Sequence, residues 1–300
     1  MNKSKRNKNI ILLLFVLVTI AWGAGFPIVK IALQRGVPQF FMMGARFAIA
    51  GICLIIIRGA VKKNLHFKKS EIEKGSFLGI LLFVAFALQC FGLEQTSPAK
   101  SGILTGCYVI VVPILVILFT KKFSLKPLVD GAICLFGMMI FFNVFESFSN
   151  IGGGDWLTIL GAVIFALHML FLEKLSKNCY ILDLTIFQMI ACGILAIIAS
   201  LIFELDQYAA MDFQFMIISV LFLGIFSTGF AYLIQTLAQK NFSATTVSMV
   251  ACLEAVFATV FSVAMGMEIV TPSLIIGAIF IIFSILRSVL LPPVFYDKFL

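Results

Sequence analysis

Apolar residues run through this chain in long blocks broken by short polar stretches. Reading the blocks between breaks predicts ten helices, at 10–33, 38–58, 75–94, 101–120, 127–145, 155–174, 183–203, 213–238, 244–266 and 272–291. Each is long enough to cross a hydrocarbon core about 30 Å thick. A membrane β-barrel would instead alternate polar and apolar residues in segments of about ten. The pattern therefore predicts an all-α integral membrane protein with ten transmembrane helices. The first block follows a basic flank, "KSKRNK", as a signal peptide would. Its apolar character continues through Leu33 with no small-residue cleavage site, so it reads as a retained span.

The breaks alternate in charge. One set carries Lys3, Lys5, Arg6 and Lys8, then Arg58, Lys62, Lys63, Lys68, Lys69 and Lys74, then Lys121, Lys122 and Lys126, and finally Lys174, Lys177, Lys240, Arg287 and Lys298. The other set has only Arg35 and Lys100, beside Glu94, Glu146, Asp155, Glu204, Asp206, Asp212 and Glu268. Lys30 and Arg46 complete the 22 basic residues and lie within spans. The positive-inside rule places the first set, and with it both termini, in the cytoplasm. Asn64 and Asn150 then fall in loops on opposite sides.

Composition agrees. The chain is 62% hydrophobic and 12% charged, too little polar surface to cover a soluble core of 300 residues. Its net charge of +8 would suggest nucleic acid in a soluble protein, but here it follows from topology. Six of the seven cysteines lie in apolar runs, and no pair has the two-residue spacing of a zinc or redox motif, so they read as small apolar residues.

The halves resemble each other. "LKPLVDGAICLFGMMIFF" (125–142) is answered by "IVTPSLIIGAIFIIFSIL" (269–286), and "FALQ" (86–89) by "FAYLIQ" (230–235), a spacing of about 145 residues. A duplicated unit of five spans is odd in number, so its copies lie in opposite orientations: two inverted five-helix repeats, the plan of many secondary transporters.

The chain also resembles the EamA-type proteins of the drug/metabolite transporter superfamily, along nearly its whole length. The matching stretches are "AWGAGFPIVKIAL" (21–33), "ARFAIAGI" (45–52), "TSPAKSGILTGCYVIVVP" (96–113), "FALHMLFLEKLS" (165–176) and "FAYLIQTLAQKNFSATTVSMVACLEAVFA" (230–258). The resemblance implies ten helices, no bound cofactor, and export or exchange of small metabolites. It divides the chain into EamA-like repeats at 1–146 and 147–300. One departure is Ala255, where the family usually has proline after the glutamate of the ninth span, which puts the kink there in question.

Polar residues inside spans mark the candidate site. Glu254 lies about 15 Å deep at 1.5 Å per residue, too deep for its short side chain to reach water. It must be protonated, paired or in a wet cavity. Arg46 sits about 12 Å in from its span end and suits a structural ion pair or an anionic ligand group. Lys30 either reaches out to the interface or attracts an anion at the mouth. His168 fits a hydrogen-bonded core residue or a ligand. Trp22, Gln89, Thr105, Tyr108, Tyr232 and Gln235 are each explained singly by interhelical bonding. Together they suit a cavity for a small amphipathic metabolite. The phenylalanines read mostly as lipid-facing bulk. Gly23, Gly25 and Pro27 are expected to loosen span one, and Pro113 with Gly102 and Gly106 span four.

A secondary transporter of amino acids or related compounds, with protons as a candidate coupling ion, is the function this pattern favours. No ATP-binding Gly-rich motif is present. An intramembrane enzyme would need a nucleophile with its base or a metal cluster, and the chain has neither His-Glu-x-x-His nor Gly-x-Ser-x-Gly. A channel is the other alternative, though unlike helices around one acid do not suggest a symmetric pore. Expected partners are a small-molecule substrate and the lipid bilayer, not nucleic acid, with the chain a monomer or homodimer.

Overall fold

The computed structural model describes residues 3–62, 66–93, 95, 98–121, 123–143, 151–267 and 269–291. Among these the chain is all helix. We number ten rods: α1 Lys3–Gln34, α2 Gln39–Lys62, α3 Lys69–Leu93, α4 in two pieces (Pro98–Gly106 and Tyr108–Thr120), and α5 Leu125–Phe141. Then come α6 Gly153–Ser176, α7 Ile181–Phe203, and α8 in three pieces (Phe213–Phe222, Leu223–Phe230 and Ala231–Asn241). The last are α9 in two pieces (Ala244–Ala251 and Leu253–Ala264) and α10 Pro272–Leu290. The predicted span ends at 94 and 145 lie outside the described residues, as do the loop residues Lys63, Asn64, Lys122, Glu146, Asn150, Glu268 and Lys298.

Nine of the rods among the described residues are long and apolar enough to cross a membrane. The other, α5, has 17 residues, about 26 Å of helix. Leu13, Ile56, Leu118, Ile202 and Ile279 are among many large apolar side chains left exposed on the rods. Such surface is stable only against lipid. Local chemistry sets several rod starts. Asp212 caps α8 through the Phe215 amide, Ser243 caps α9 through that of Thr246, and Thr271 caps α10 ahead of Pro272.

The packing treats the two halves alike. α1 meets α9 as α6 meets α4, α1 meets α8 as α6 meets α3, α2 meets α8 as α7 meets α3, and α4 meets α5 as α9 meets α10. The equivalent rods α2 and α7 lie side by side and antiparallel. Gly44 faces Ile197, Gly193 faces Ala48, Gly51 faces Ile190, and at one end Arg58 pairs with Asp183. At the other end the Glu204 carboxylate accepts from the Phe40 and Phe41 amides at 2.7 and 2.9 Å, closing the α2 N-terminus. α5 and α10 also cross antiparallel, with the Gly277 α-carbon pressed against Phe141 and Gly137.

Three local expectations change. α1 is an unbroken helix through Gly23, Gly25 and Pro27. Its glycines serve close packing: a Cβ on Gly23 would lie 2.6 Å from the Phe257 Cβ of α9. α4 breaks at Cys107, before Pro113, and α9 breaks at Cys252, although Ala255 stands where the family has proline. Cys107 and Cys252 are equivalent positions in the two halves, so the break belongs to the repeat and does not depend on a proline. The irregularity the pattern did not foretell is in α8, where Leu223–Phe230 is π-helical.

Candidate functional site

Two apolar clusters make up most of the interior. One gathers residues of α1, α4, α5, α6, α8, α9 and α10, the other residues of α2, α3, α7 and α8. Trp22 and Phe165 pack against both, so the join runs beside them. Most of the candidate polar residues collect there.

Trp22 donates its indole N–H to the Ser227 carbonyl at 2.8 Å. A π-helical turn breaks the regular i→i−4 ladder, and such turns recur at functional sites. The indole ring lies 5.9 Å from Tyr232, and Tyr232 lies 5.8 Å from Phe47. Phe47 meets Phe86 edge-on at 5.8 Å, and Phe86 meets Phe165 at 5.1 Å. The Arg46 guanidinium stands over this row, 5.1 Å from the Phe86 ring and 5.3 Å from Phe47. The π segment crosses α2 at this level: a Cβ on Gly224 would come within 3.0 Å of the Arg46 carbonyl.

Arg46 makes no salt bridge or hydrogen bond among the described residues, and its buried Nε has no acceptor. The ion-pair reading of Arg46 therefore has no protein partner here, and cation–π contact is what holds the group. Glu254, in the first turn after the α9 break, is half-buried and likewise has no partner among the described residues. Tyr232 lies within electrostatic reach of both Arg46 and Glu254, and Tyr108 within reach of Glu254. A charge near the membrane centre costs roughly 2.5–3.5 kcal/mol on insertion scales. An arginine and a carboxyl group at that depth, neither with a protein partner among the described residues, fit a candidate site whose polar counterparts come from a ligand.

Gln89 donates to Thr105 Oγ1 at 2.9 Å, tying α3 to the first piece of α4. Gln235 is buried, and its Oε1 has no donor among the described residues. His168 is engaged elsewhere: its Nε2 is 3.0 Å from Gln188 Oε1, joining α6 to α7. Lys30 is exposed near the end of α1. A depression of about 340 Å³ lined by Leu33, Gln39, Glu204 and Gln207 lies at the bundle end, apart from the aromatic row.

Three phenylalanines stand apart from the lipid-facing ones: Phe47, Phe86 and Phe165 form the aromatic row beside Arg46. Helical spacing carried the signal: Phe86 precedes the half-buried Gln89 by three residues and Phe165 precedes the buried His168 by three, so each shares a face with a polar group inside the membrane.

A membrane protein of many helices, with a buried arginine, an acid and aromatic rings gathered where its two halves meet, has the build of a transporter. Comparison with known proteins specifies the family. The model of the EamA-like transporter family matches residues 9–143 and again 152–290, and the chain belongs to that family. The family is one of transporters, not enzymes. An uncharacterized transporter of Archaeoglobus fulgidus is 29% identical over 90% of this chain and 82% of its own. The uncharacterized transporter YoaV of Bacillus subtilis is 23% identical, covering 90% and 94%. The protein PagO of Salmonella typhimurium is 25% identical, covering 79% of each chain. A solved structure described only as that of a protein superposes with a TM-score of 0.78 at 15% identity, over 94% of this chain and 98% of the other, which speaks for the fold alone.

Proposed function

We propose that this protein is a secondary transporter, an exporter or exchanger of small metabolites such as amino acids or related compounds, in the cytoplasmic membrane. It works by alternating access around the Arg46–Tyr232–Glu254 site. The observation that carries this reading is a buried guanidinium, Arg46 from the first half, and an acid, Glu254 from the second, each without a protein partner among the described residues and flanking an aromatic wall. A guanidinium suits a carboxylate, a carboxylate suits an amine or a proton, and the rings suit an apolar body. The halves, 1–146 and 147–300, are inverted repeats with both termini in the cytoplasm. The antiparallel crossings of α2 with α7 and of α5 with α10 support this, because equivalent rods of inverted repeats must run in opposite directions. Trp22, Gln89, Thr105, Tyr108 and Gln235 complete the binding surface, with His168 bordering it. The protein acts as a monomer or homodimer.

Metabolites are screened for thermal stabilisation of the purified protein, and those that stabilise it are tested for counterflow in vesicles. Carboxylate-bearing compounds should stabilise it and be exchanged. In Glu254→Gln the charge is fixed at zero with little change of shape. If the carboxylate carries a coupling proton, this variant still exchanges substrate but does not concentrate it against a gradient. If it binds an amine, exchange itself falls. Uptake, exchange and pH dependence all unchanged in Glu254→Gln would remove that residue from the site.

A further inference from the structure

Among the described residues the two halves pack alike over most of their contacts and differ most at one place. α6 packs on the last piece of α8 and the first piece of α9. The equivalent contacts of the other half would join α1 to α3 and α4, and among the described residues α1 touches these at most glancingly. The extra contact carries polar ties. Glu173 Oε2 of α6 accepts from the Ala244 amide at the start of α9 at 2.6 Å. Gln239 Nε2 of α8 donates to the Met169 carbonyl of α6 at 3.0 Å. Beside this contact, Lys240 Nζ donates to the Cys179 carbonyl just past α6 at 3.0 Å, and Thr185 of α7 donates to Thr236 of α8 at 3.1 Å.

We propose that this junction is the closed gate of the transport pathway, latched by Glu173 and Gln239, and that Gln235 and Gln239 line the path once it opens. The inference rests on the transporter reading above. Two observations carry it independently. The first is the asymmetry itself: in a molecule of two like halves, a contact made in one and missing in the other marks which side is shut. The second is a defect in the closed packing. Gln235 and Gln239, one helical turn apart on α8, are both buried, and each has a side-chain oxygen with no donor among the described residues. A buried acceptor without a donor is costly, and apolar residues would fill a permanent interface better. Amides make sense there if another state exposes them to water and to a passing polar solute. The latch uses single hydrogen bonds to backbone groups, which can be exchanged for water without leaving a buried charge. The gate lies at the bundle end that holds Lys177 and Lys240, and the aromatic row with Arg46 lies behind it.

The test needs no identified substrate. Spin labels are placed at the exposed positions Asn178 and Ser243 of a cysteine-free protein in lipid, sparing Lys177, which pairs with Glu173, and their distance distribution is measured by double electron–electron resonance. The intact latch should give one dominant short distance, and Glu173→Ala should add a longer population. In parallel, Gln235→Cys in the same background, a buried position on the path that takes no part in the latch, should react slowly with N-ethylmaleimide, and several-fold faster once Glu173→Ala is added. The same distance distribution and alkylation rate with and without Glu173→Ala would overturn the gate. Counterflow measured on the same preparations keeps that failure distinct from failure of the transporter reading. Should Glu173→Ala not fold, Gln239→Leu serves as the second latch variant in the distance measurement, with the same two outcomes.

Discussion

Gly23→Ala and Gly25→Ala make the same chemical change one half-turn apart in α1, yet the structure gives them different fates. Alanine at either position gains about 1 kcal/mol of helix propensity, so that contribution largely cancels in the comparison. At Gly23 the new Cβ would lie 2.6 Å from the Phe257 Cβ, 2.7 Å from the Ala258 nitrogen and 2.8 Å from the Phe257 carbonyl carbon. These atoms belong to the α9 backbone or are fixed to it, so α1 must move away from α9. Overpacking of this kind costs about 1–3 kcal/mol. At Gly25 the nearest atoms are Ser227 Oγ at 3.2 Å and Leu223 Cδ2 at 3.3 Å, ends of side chains that can yield by a few tenths of an ångström. Gly25→Ala should therefore melt at or above the unaltered protein, and Gly23→Ala clearly below it. The displacement falls one turn from Glu254 and beside Trp22, so Gly23→Ala should also weaken binding of any metabolite that stabilises the parent. Melting is followed by fluorescence-detected thermal unfolding in one detergent for all three proteins. Gly23→Ala melting at or above Gly25→Ala would refute the reasoning, because close approach of α9 would then not explain the glycine.

Asp212 gives a pH prediction outside the membrane. The Phe215 amide, above all, holds its carboxyl below the usual aspartate range; burial opposes this, and the Arg35 guanidinium, 3.0 Å away, adds to the lowering. A depressed folded value contributes stability that is full above the unfolded value of about 3.9 and is lost as pH falls through the folded one. The melting advantage of the parent over Asp212→Asn should therefore shrink on acidification through that window, and an advantage constant from neutral pH to below it would contradict the assignment. For topology, single cysteines at positions 64 and 150 in a cysteine-free background are treated with an impermeant thiol reagent on intact cells. Position 150 should label and position 64 should not; the reverse pattern would invert the orientation, and labelling at both would remove the argument for inverted repeats.

The rods were legible because hydrocarbon imposes length and apolarity on every span, and these can be read one residue at a time. The membership of the site was partly legible for a related reason. A charge or amide in lipid is costly enough to stand out, so Arg46, Glu254 and Gln235 announce themselves singly. Their partners do not. Phe47 has the same local sequence character as the phenylalanines that face lipid, and the packing of α2 against α7 turns it inward; Phe86 is turned inward by the packing of α3 against α6 and α7, with its spacing to Gln89 as the one local hint. The π-helical stretch of α8 was hidden for the same reason: "LGIFSTGF" suits an α-helix locally, and the register change accompanies contacts from Trp22 and from α2. Glycine was misread in the other direction. Gly23 and Gly25 look like points of weakness when α1 is considered alone, but a helix loses little by carrying glycine where a neighbour fills the space a side chain would take. The breaks came at Cys107 and Cys252, which have no helix-breaking character of their own. Their equivalence in the two halves points to the packing of the repeat as the cause. A candidate site residue follows the break in each half, Tyr108 by one residue and Glu254 by two, so the same distortion of the fold brings a polar group towards the join from each side.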